Sequence, residues 1–256
     1  KYNISFEEVI FSENISFSRT TFKEDIDFKA SKFRNEAIFF ETNFEQQALF
    51  FKTVFNEIVT FRNSNFLKNA DFSFSALKKT LPGAIFKQEA CFDGANFHGD
   101  ANFDCVEFHS ESIFDAVHFN TEAVFSGSIF KKTSNFNKTV FDGYARFDNV
   151  NFNDMADFSN AQFKSGTVFC GAHFNYGASF KAAKFSGYAW FKKATFCNDV
   201  NFEAAIFEKD VLFNEATFAK LAYFPNVGFY GLAKFSDVTF YKSIFGGSRF
   251  KNEHFS

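Results

Sequence analysis

Phenylalanine recurs along the chain with a spacing that fits neither a strand nor a helix. Between residues 99 and 130 it stands at positions 103, 108, 114, 119, 125 and 130, so that gaps of five and six alternate. Side chains repeat every two residues on a strand and about every 3.6 on a helix. The alternation resolves into two interleaved series of period eleven, which run through nearly the whole chain. Repetition at a fixed period is typical of a solenoid.

Small or β-branched residues dominate the position two before each phenylalanine, as at Ala101, Val106 and Ser112. In an extended strand these two positions lie on the same side. Polar residues fill the two or three positions that follow, and most of the thirteen glycines lie there, where we expect positive φ. Each unit is therefore predicted to be a short face with two inward residues, followed by a corner.

A helical alternative exists, because an eleven-residue period also produces right-handed coiled coils. On a helix, steps of five and six residues rotate by about 140° and 240°, so the two series would lie on separate faces, with glycine, asparagine and threonine inside the helix. A short-stranded solenoid fits the pattern better. Identical residues then stack coil upon coil at about 4.8 Å, and each coil buries the apolar face of its neighbour.

The stretch "ACFDGANFHGDANFDCVEF" at 90–108 resembles the pentapeptide-repeat proteins, in particular their phenylalanine-rich branch with alternating five- and six-residue steps. The resemblance covers about residues 4 to 255. It implies an all-β fold, a right-handed quadrilateral β-helix with four faces per turn and phenylalanine ladders inside. Four faces take two eleven-residue units, so we expect about 22 residues per coil and about eleven coils. Another multiple of eleven is the alternative.

The segment "SALKKTLPGAIF" breaks this register. Leu77 and Leu81 take ladder positions there, which indicates a two-residue deletion. We expect an irregular loop in this slip, residues 73–85, with Lys79 turned to solvent because burying an unpaired ammonium group is costly. Apart from the slip, residues 1–256 are predicted to form a single β-solenoid domain.

Charge narrows the choice of partners. With 27 basic and 30 acidic residues the formal net charge is −3, which indicates neither a nucleic-acid polycation nor a strongly acidic mimic. No apolar run approaches the roughly 20 residues that cross a bilayer, and the chain does not start like a signal peptide. We expect a soluble protein, in the cytoplasm, or outside the cell if it forms filaments. Because the chain starts at Lys1 in mid-repeat, we also expect it to derive from a longer or processed protein.

Candidate catalytic chemistry is sparse. The four cysteines are predicted to be free thiols, and the five histidines fall at different phases of the repeat. A convex rod with a filled interior offers no water-excluding cleft for paired carboxylates. The sequence therefore predicts no enzyme, no metal site, no cofactor and no small-molecule substrate.

One outward patch is a candidate binding site. With 22 residues per coil, Val168, Trp190 and Leu212 are neighbours on consecutive coils of one face, and Tyr144 and Tyr188 occupy the adjoining corner. Single exposed apolar residues are ordinary on β faces. A contiguous patch that includes the only tryptophan is typical of a contact surface.

Three classes of function remain open. The first is a non-enzymatic scaffold or protein-interaction rod, which binds a protein partner or a second copy through the patch or the rod ends, without nucleic acid. The second is the subunit of a filament that stacks end to end through unpaired strand edges. The third is a DNA-mimicking topoisomerase inhibitor, which the resemblance implies through the quinolone-resistance members of the family. The near-neutral charge and the lysine pairs at 78, 131 and 192 count against it.

Overall fold

In a computed structural model of the protein, residues 3–73 and 82–250 are described. The chain winds into a parallel β-solenoid with four short faces per coil. Equivalent residues on successive coils are 22 positions apart, as for Ile4 and Ile26 or Ala123 and Ala145. The first and fourth faces each form an eleven-stranded parallel sheet. The predicted quadrilateral β-helix of about eleven coils with about 22 residues each is confirmed.

Most strands are two residues long. Those of the first face are Ile4–Ser5, Ile26–Asp27, Ala48–Leu49, Ala70–Asp71, Ala101–Asn102, Ala123–Val124, Ala145–Arg146, Thr167–Val168, Ala189–Trp190, Val211–Leu212 and Ala233–Lys234. Those of the fourth face are Thr21–Phe22, Asn43–Phe44, Asn65–Phe66, Asn96–Phe97, His118–Phe119, Val140–Phe141, Gln162–Phe163, Lys184–Phe185, Ile206–Phe207, Gly228–Phe229 and Arg249–Phe250.

The second and third faces belong to one 20-stranded sheet. The second face has the strands Ile10–Phe11, Lys32–Phe33, Val54–Phe55, Ile85–Phe86, Glu107–Phe108, Ile129–Phe130, Asn151–Phe152, His173–Phe174 and Thr195–Phe196. The third has Ile15–Ser16, Ala37–Ile38, Val59–Thr60, Ala90–Cys91, Ser112–Ile113, Ser134–Asn135, Ala156–Asp157, Ala178–Ser179 and Val200–Asn201. Near the C-terminal end, Thr217–Tyr223 and Thr239–Ile244 continue around the corner between these two faces.

The core consists of four columns of phenylalanine, one behind each face. Rings within a column lie parallel, as for Phe103 and Phe125, whose centroids are 4.8 Å apart with 1° between the ring planes. Rings from opposite faces meet edge to face, as for Phe103 and Phe114 at 5.6 Å and 89°. Both arrangements suit the quadrupole of an aromatic ring. The small residue two positions earlier leaves the space that the rings fill, so the predicted ladders are confirmed.

Each two-residue corner turns through a residue with positive φ. The Val106 amide donates to the Phe103 carbonyl at 3.3 Å, and Cys105 between them has φ 56°, as a type II turn requires of its third residue. Among the described residues seventeen non-glycine side chains have positive φ, and the glycines that share it are Gly94, Gly127, Gly171 and Gly247. The expectation that corner glycines generally serve positive φ is therefore wrong. The Cys105 amide donates to the Ser126 carbonyl of the next coil at 2.9 Å, and such bonds hold other residues in this conformation.

The three-residue corners are stabilised by carboxylate and amide side chains. Asp210 Oδ1 accepts a hydrogen bond from the Leu232 amide at 2.9 Å, and Asp199 Oδ1 accepts one from the Leu221 amide at 3.0 Å. Both bonds link the same corner position of successive coils. Short polar side chains at these corners therefore satisfy the backbone of the neighbouring coil.

The register slip is an insertion and not a deletion. Phe55 pairs with Phe86, and their rings stack at 5.0 Å. The hydrogen bond from Asp100 to Asn69 spans 31 residues where regular coils span 22, so this coil is nine residues longer. The predicted two-residue deletion is wrong. Leu77, Leu81 and Lys79, with most of the expected loop, lie outside the described residues.

Inward hydroxyl groups fall into two kinds. Ser128 Oγ donates to the Phe103 carbonyl at 2.5 Å and accepts from the Val106 amide at 3.2 Å. The buried hydroxyls of Ser112 and Ser134, which pair on adjacent coils of the third face, have no hydrogen-bond partner among the described residues. A buried hydroxyl without a partner costs free energy.

We expect Ser112→Ala to raise the free energy of unfolding by about 1 kcal/mol, because it removes an unsatisfied buried hydroxyl. The matched change Ser128→Ala should lower it by about 1 kcal/mol, because it removes two hydrogen bonds. Chemical denaturation of the two variants beside the wild type measures the difference. A loss of stability in both variants would contradict the assignment.

All four cysteines are free thiols, as predicted. Within residues 3–73 and 82–250 there is no helix long and apolar enough to cross a membrane.

Candidate functional site

The structure places the predicted patch on the first face, and we name these five residues the aromatic stripe: Tyr144, Val168, Tyr188, Trp190 and Leu212. Val168, Trp190 and Leu212 are paired in register on three consecutive strands. Trp190 is 40% exposed, Tyr144 47% and Tyr188 51%. The apolar surface therefore continues over several coils, because each coil repeats the position of the last.

The tyrosines belong to the corner that precedes this face. Tyr144 lies over Gly166 of the next coil, where a Cβ atom would come within 2.7 Å of the tyrosine Cε1. Gly166 therefore allows the ring to lie flat along the rod toward Tyr188. The rings of Tyr188 and Trp190 are 6.5 Å apart and tilted by 35°. Three aromatic side chains are thus held next to one another on the surface.

The stripe is a surface and not a pocket. The cleft between Tyr144, Val168, Tyr188 and Trp190 encloses only about 10 Å³, about the volume that one water molecule needs. Small-molecule sites are much larger, typically about 300–1,000 Å³. The geometry suits a broad contact with another macromolecule.

Ion pairs border the stripe. Arg146, one coil before Val168, lies 3.3 Å from Asp148, and Lys193 lies 3.4 Å from Glu215. These pairs are largely exposed, so each contributes little to stability. An apolar centre with a charged rim is the usual composition of a protein–protein contact.

Cys170 lies in the corner that follows Val168. Burial raises the pKa of its thiol, and the backbone hydrogen bond at Lys192 only partly opposes this. The thiol is directed at the Trp190 carbonyl, with 4.0 Å between sulfur and oxygen. Because the thiolate is the reactive form, a raised pKa makes this cysteine a poor nucleophile at neutral pH.

The sequence predicted a rod without clefts, and this is wrong for the third face. An open groove of about 520 Å³ crosses this face between Met155 and Tyr223. It forms because Gly177 interrupts a column that otherwise carries side chains at Met155, Asp199 and Leu221. Aligning the chain in steps of 22 residues would have placed these four in one column.

Histidine takes part in surface ion pairs. His118 Nε2 lies 2.7 Å from Asp142 Oδ2, and Lys164 lies 2.8 Å from Oδ1 of the same carboxylate. Burial raises the pKa of Asp142, but hydrogen bonds from Lys164 and His118 outweigh it, so the pKa is lowered overall. Across the described ranges, no three histidine, cysteine or acidic side chains are grouped as metal ligands.

Comparison with protein families identifies the class. The family model described as "Pentapeptide repeats (9 copies)" matches residues 92–140, 136–184 and 180–228. These ranges together span more than half of the 256 residues. The chain therefore belongs to the pentapeptide-repeat family, in agreement with the resemblance. A search of the curated proteins finds no match.

Two solved structures are similar to this chain. One is HetL from the cyanobacterium Nostoc sp. strain PCC 7120, a pentapeptide repeat protein involved in the regulation of heterocyst differentiation. It is 10% identical, with 100% of this chain and 93% of HetL covered and a TM-score of 0.37. The other is QnrB1, a plasmid-mediated fluoroquinolone resistance protein, 14% identical, with 97% of this chain and 92% of QnrB1 covered and a TM-score of 0.32.

Proposed function

We propose that this pentapeptide-repeat protein is a non-enzymatic interaction rod, which binds a protein partner or a second copy of itself through the aromatic stripe. The observation that carries the proposal is the exposed contact of Tyr188 with Trp190, with Val168 and Leu212 on the adjacent coils. Tryptophan and tyrosine are the residues most enriched among the energetic centres of protein interfaces.

The rigidity of the scaffold supports this function. Trp190 follows the buried Ala189 and precedes the buried Phe191, so its backbone is fixed by the core. The Phe169 amide donates to the Trp190 carbonyl at 2.7 Å. A contact surface that is already ordered loses little conformational entropy on binding, which favours affinity.

We expect Trp190→Asp to weaken binding by more than about 2 kcal/mol, roughly thirtyfold, because it removes the central aromatic anchor. The fold should be nearly unaffected, since the side chain is directed away from the core. Proteins retained by the immobilised wild-type rod are purified, and each is titrated calorimetrically against wild type and variant. Sedimentation of the rod alone measures binding to a second copy.

Asn102→Asp is the matched control, because Asn102 lies in the same outward column and gains the same charge. Its binding should stay within about threefold of the wild type, the scale of a peripheral charge change. Equal affinity of wild type and Trp190→Asp for every partner would show that the stripe is ordinary surface. A collapse of thermal stability in Trp190→Asp would show that the side chain supports the core.

Two other classes stay predictions. Stacking end to end into filaments would be seen as concentration-dependent elongation by negative-stain microscopy. A DNA-mimicking topoisomerase inhibitor would inhibit gyrase, and the formal net charge of −3 gives this class no support.

We also propose that residues 1–256 form one domain. In support, a single cluster of buried side chains extends from Phe22 to Ala233.

A further inference from the structure

The groove on the third face is the largest cavity among the described residues and is separate from the aromatic stripe. Its walls are Met155 and Tyr176 toward the N-terminal coils and Leu221 and Tyr223 toward the C-terminal coils. Met155 and Leu221 are three coils apart, about 14 Å at the usual strand spacing. The volume of about 520 Å³ lies within the range of known ligand sites.

Hydrogen-bond acceptors line the floor of the groove, and the fold fixes their orientation. Asn198 Oδ1 accepts from the Asp199 amide at 3.0 Å, and Asn201 Oδ1 accepts from the Glu203 amide at 2.7 Å. Asp199 Oδ1 accepts from the Leu221 amide at 3.0 Å. Each oxygen has a second lone pair for a ligand, and Asp199 has a second carboxylate oxygen. The acceptors are thus ordered before any ligand arrives.

The charge of the groove selects a cation. Among the described residues that line it, Asp199 is the only one with a formal charge. The lysines nearby are engaged elsewhere. Lys181 lies 2.7 Å from Glu203, whose hydrogen bond raises the pKa of the ammonium group, and the Lys220 ammonium lies 5.8 Å from the Tyr241 ring centroid.

We propose that this groove binds an arginine side chain presented by a peptide segment of a partner protein. A guanidinium group carries five donors in one plane, which match a carboxylate with amide acceptors beside it. It also stacks on aromatic faces, which Tyr176 and Tyr223 provide. A lysine ammonium carries the same charge but lacks the plane, and it is more strongly hydrated.

The test uses short blocked peptides of one sequence, with arginine, citrulline or lysine at the centre. Citrulline has the shape of arginine without the charge, so it separates charge from shape. Binding to the whole chain is measured by NMR titration. We expect the arginine peptide to bind at least tenfold tighter than the citrulline peptide and at least threefold tighter than the lysine peptide.

Two carboxylate variants locate the site. Asp199→Asn should remove the advantage of arginine over citrulline, whereas Asp210→Asn should keep it. Asp210 is a close match, because it occupies the equivalent corner of the first face and accepts the same kind of bond from the Leu232 amide. Both variants retain an oxygen for this bond and change the net charge equally.

A third variant fills the groove. Gly177→Leu places a side chain where a Cβ atom meets only the flexible Met155 sulfur, at 3.3 Å, and the Asp199 carbonyl, at 3.5 Å. We expect it to fold and to lose binding of the arginine peptide. Equal binding of arginine and citrulline, equal effects of the two aspartate variants, lysine binding as tight as arginine, or no binding at millimolar peptide would each overturn the proposal.

Discussion

Phe147→Ala is expected to lower the free energy of unfolding by about 3–5 kcal/mol, because it opens a cavity in the middle of the rod. The Phe147 ring is fully buried and stacks on Phe125 at 4.9 Å and on Phe169 at 4.8 Å. Phe136 and Phe158 contact it edge to face at 5.5 and 5.2 Å. Aromatic pairs contribute beyond their buried area, so we expect a loss near the upper end of this range.

Two variants separate the causes of this loss. Phe147→Leu restores most of the volume without the ring and should cost less than the alanine variant. Phe11→Ala, in a coil near the N-terminal end where the ring is only partly buried, should cost about half as much. Because a solenoid can unfold from one end, hydrogen exchange along the coils is measured beside chemical denaturation. A loss below about 1 kcal/mol for Phe147→Ala would contradict a continuous packed core.

The ladders could be predicted because one residue type carries the whole core signal. Phenylalanine accounts for 48 of 256 residues, and its inward position repeats with every face. The coil length required more than the period, since 22 is one multiple of eleven among several. The resemblance to a four-faced family supplied it, and the pairing of Ile4 with Ile26 confirms it.

The insertion could not be recognised from spacing. The twenty residues from Phe72 to Phe92 can be read as two eleven-residue units with two residues missing, or as one unit with nine added. Leu77 and Leu81 stand where ladder residues would, which favours the first interpretation. Only strand pairing decides, because the stacking of Phe61 on Phe92 leaves no ladder position between Phe72 and Phe86.

The placement of the stripe could be predicted, whereas the groove could not. Large side chains in one column announce a patch directly, as Val168, Trp190 and Leu212 do. The groove depends on a missing side chain at Gly177, and a lone glycine in a polar corner is indistinguishable from an ordinary turn residue. Its neighbours Met155 and Leu221 become informative only when they are read as one column.

Glycines at another corner show a different requirement, which recurs on every second coil. A Cβ atom at Gly143 would lie 2.3 Å from the Thr121 carbonyl carbon, and one at Gly187 would lie 2.3 Å from that of Ser165. Positive φ is not the reason for these glycines, since none is recorded for them. The backbone of one coil passes too close to the preceding coil for any side chain.

We therefore expect Gly143→Ala to lower the free energy of unfolding by about 1–3 kcal/mol, because the backbone must shift to admit the methyl group. Gly177→Ala is the matched control in the same part of the rod, where the new atom meets the flexible Met155 side chain at 3.3 Å. It should be neutral or raise stability by about 0.4–1 kcal/mol, since alanine restricts the unfolded chain. Chemical denaturation of both variants gives the comparison. Equal stability of the two would show that the coils separate at this corner at no cost, and that the close approach does not explain the glycine.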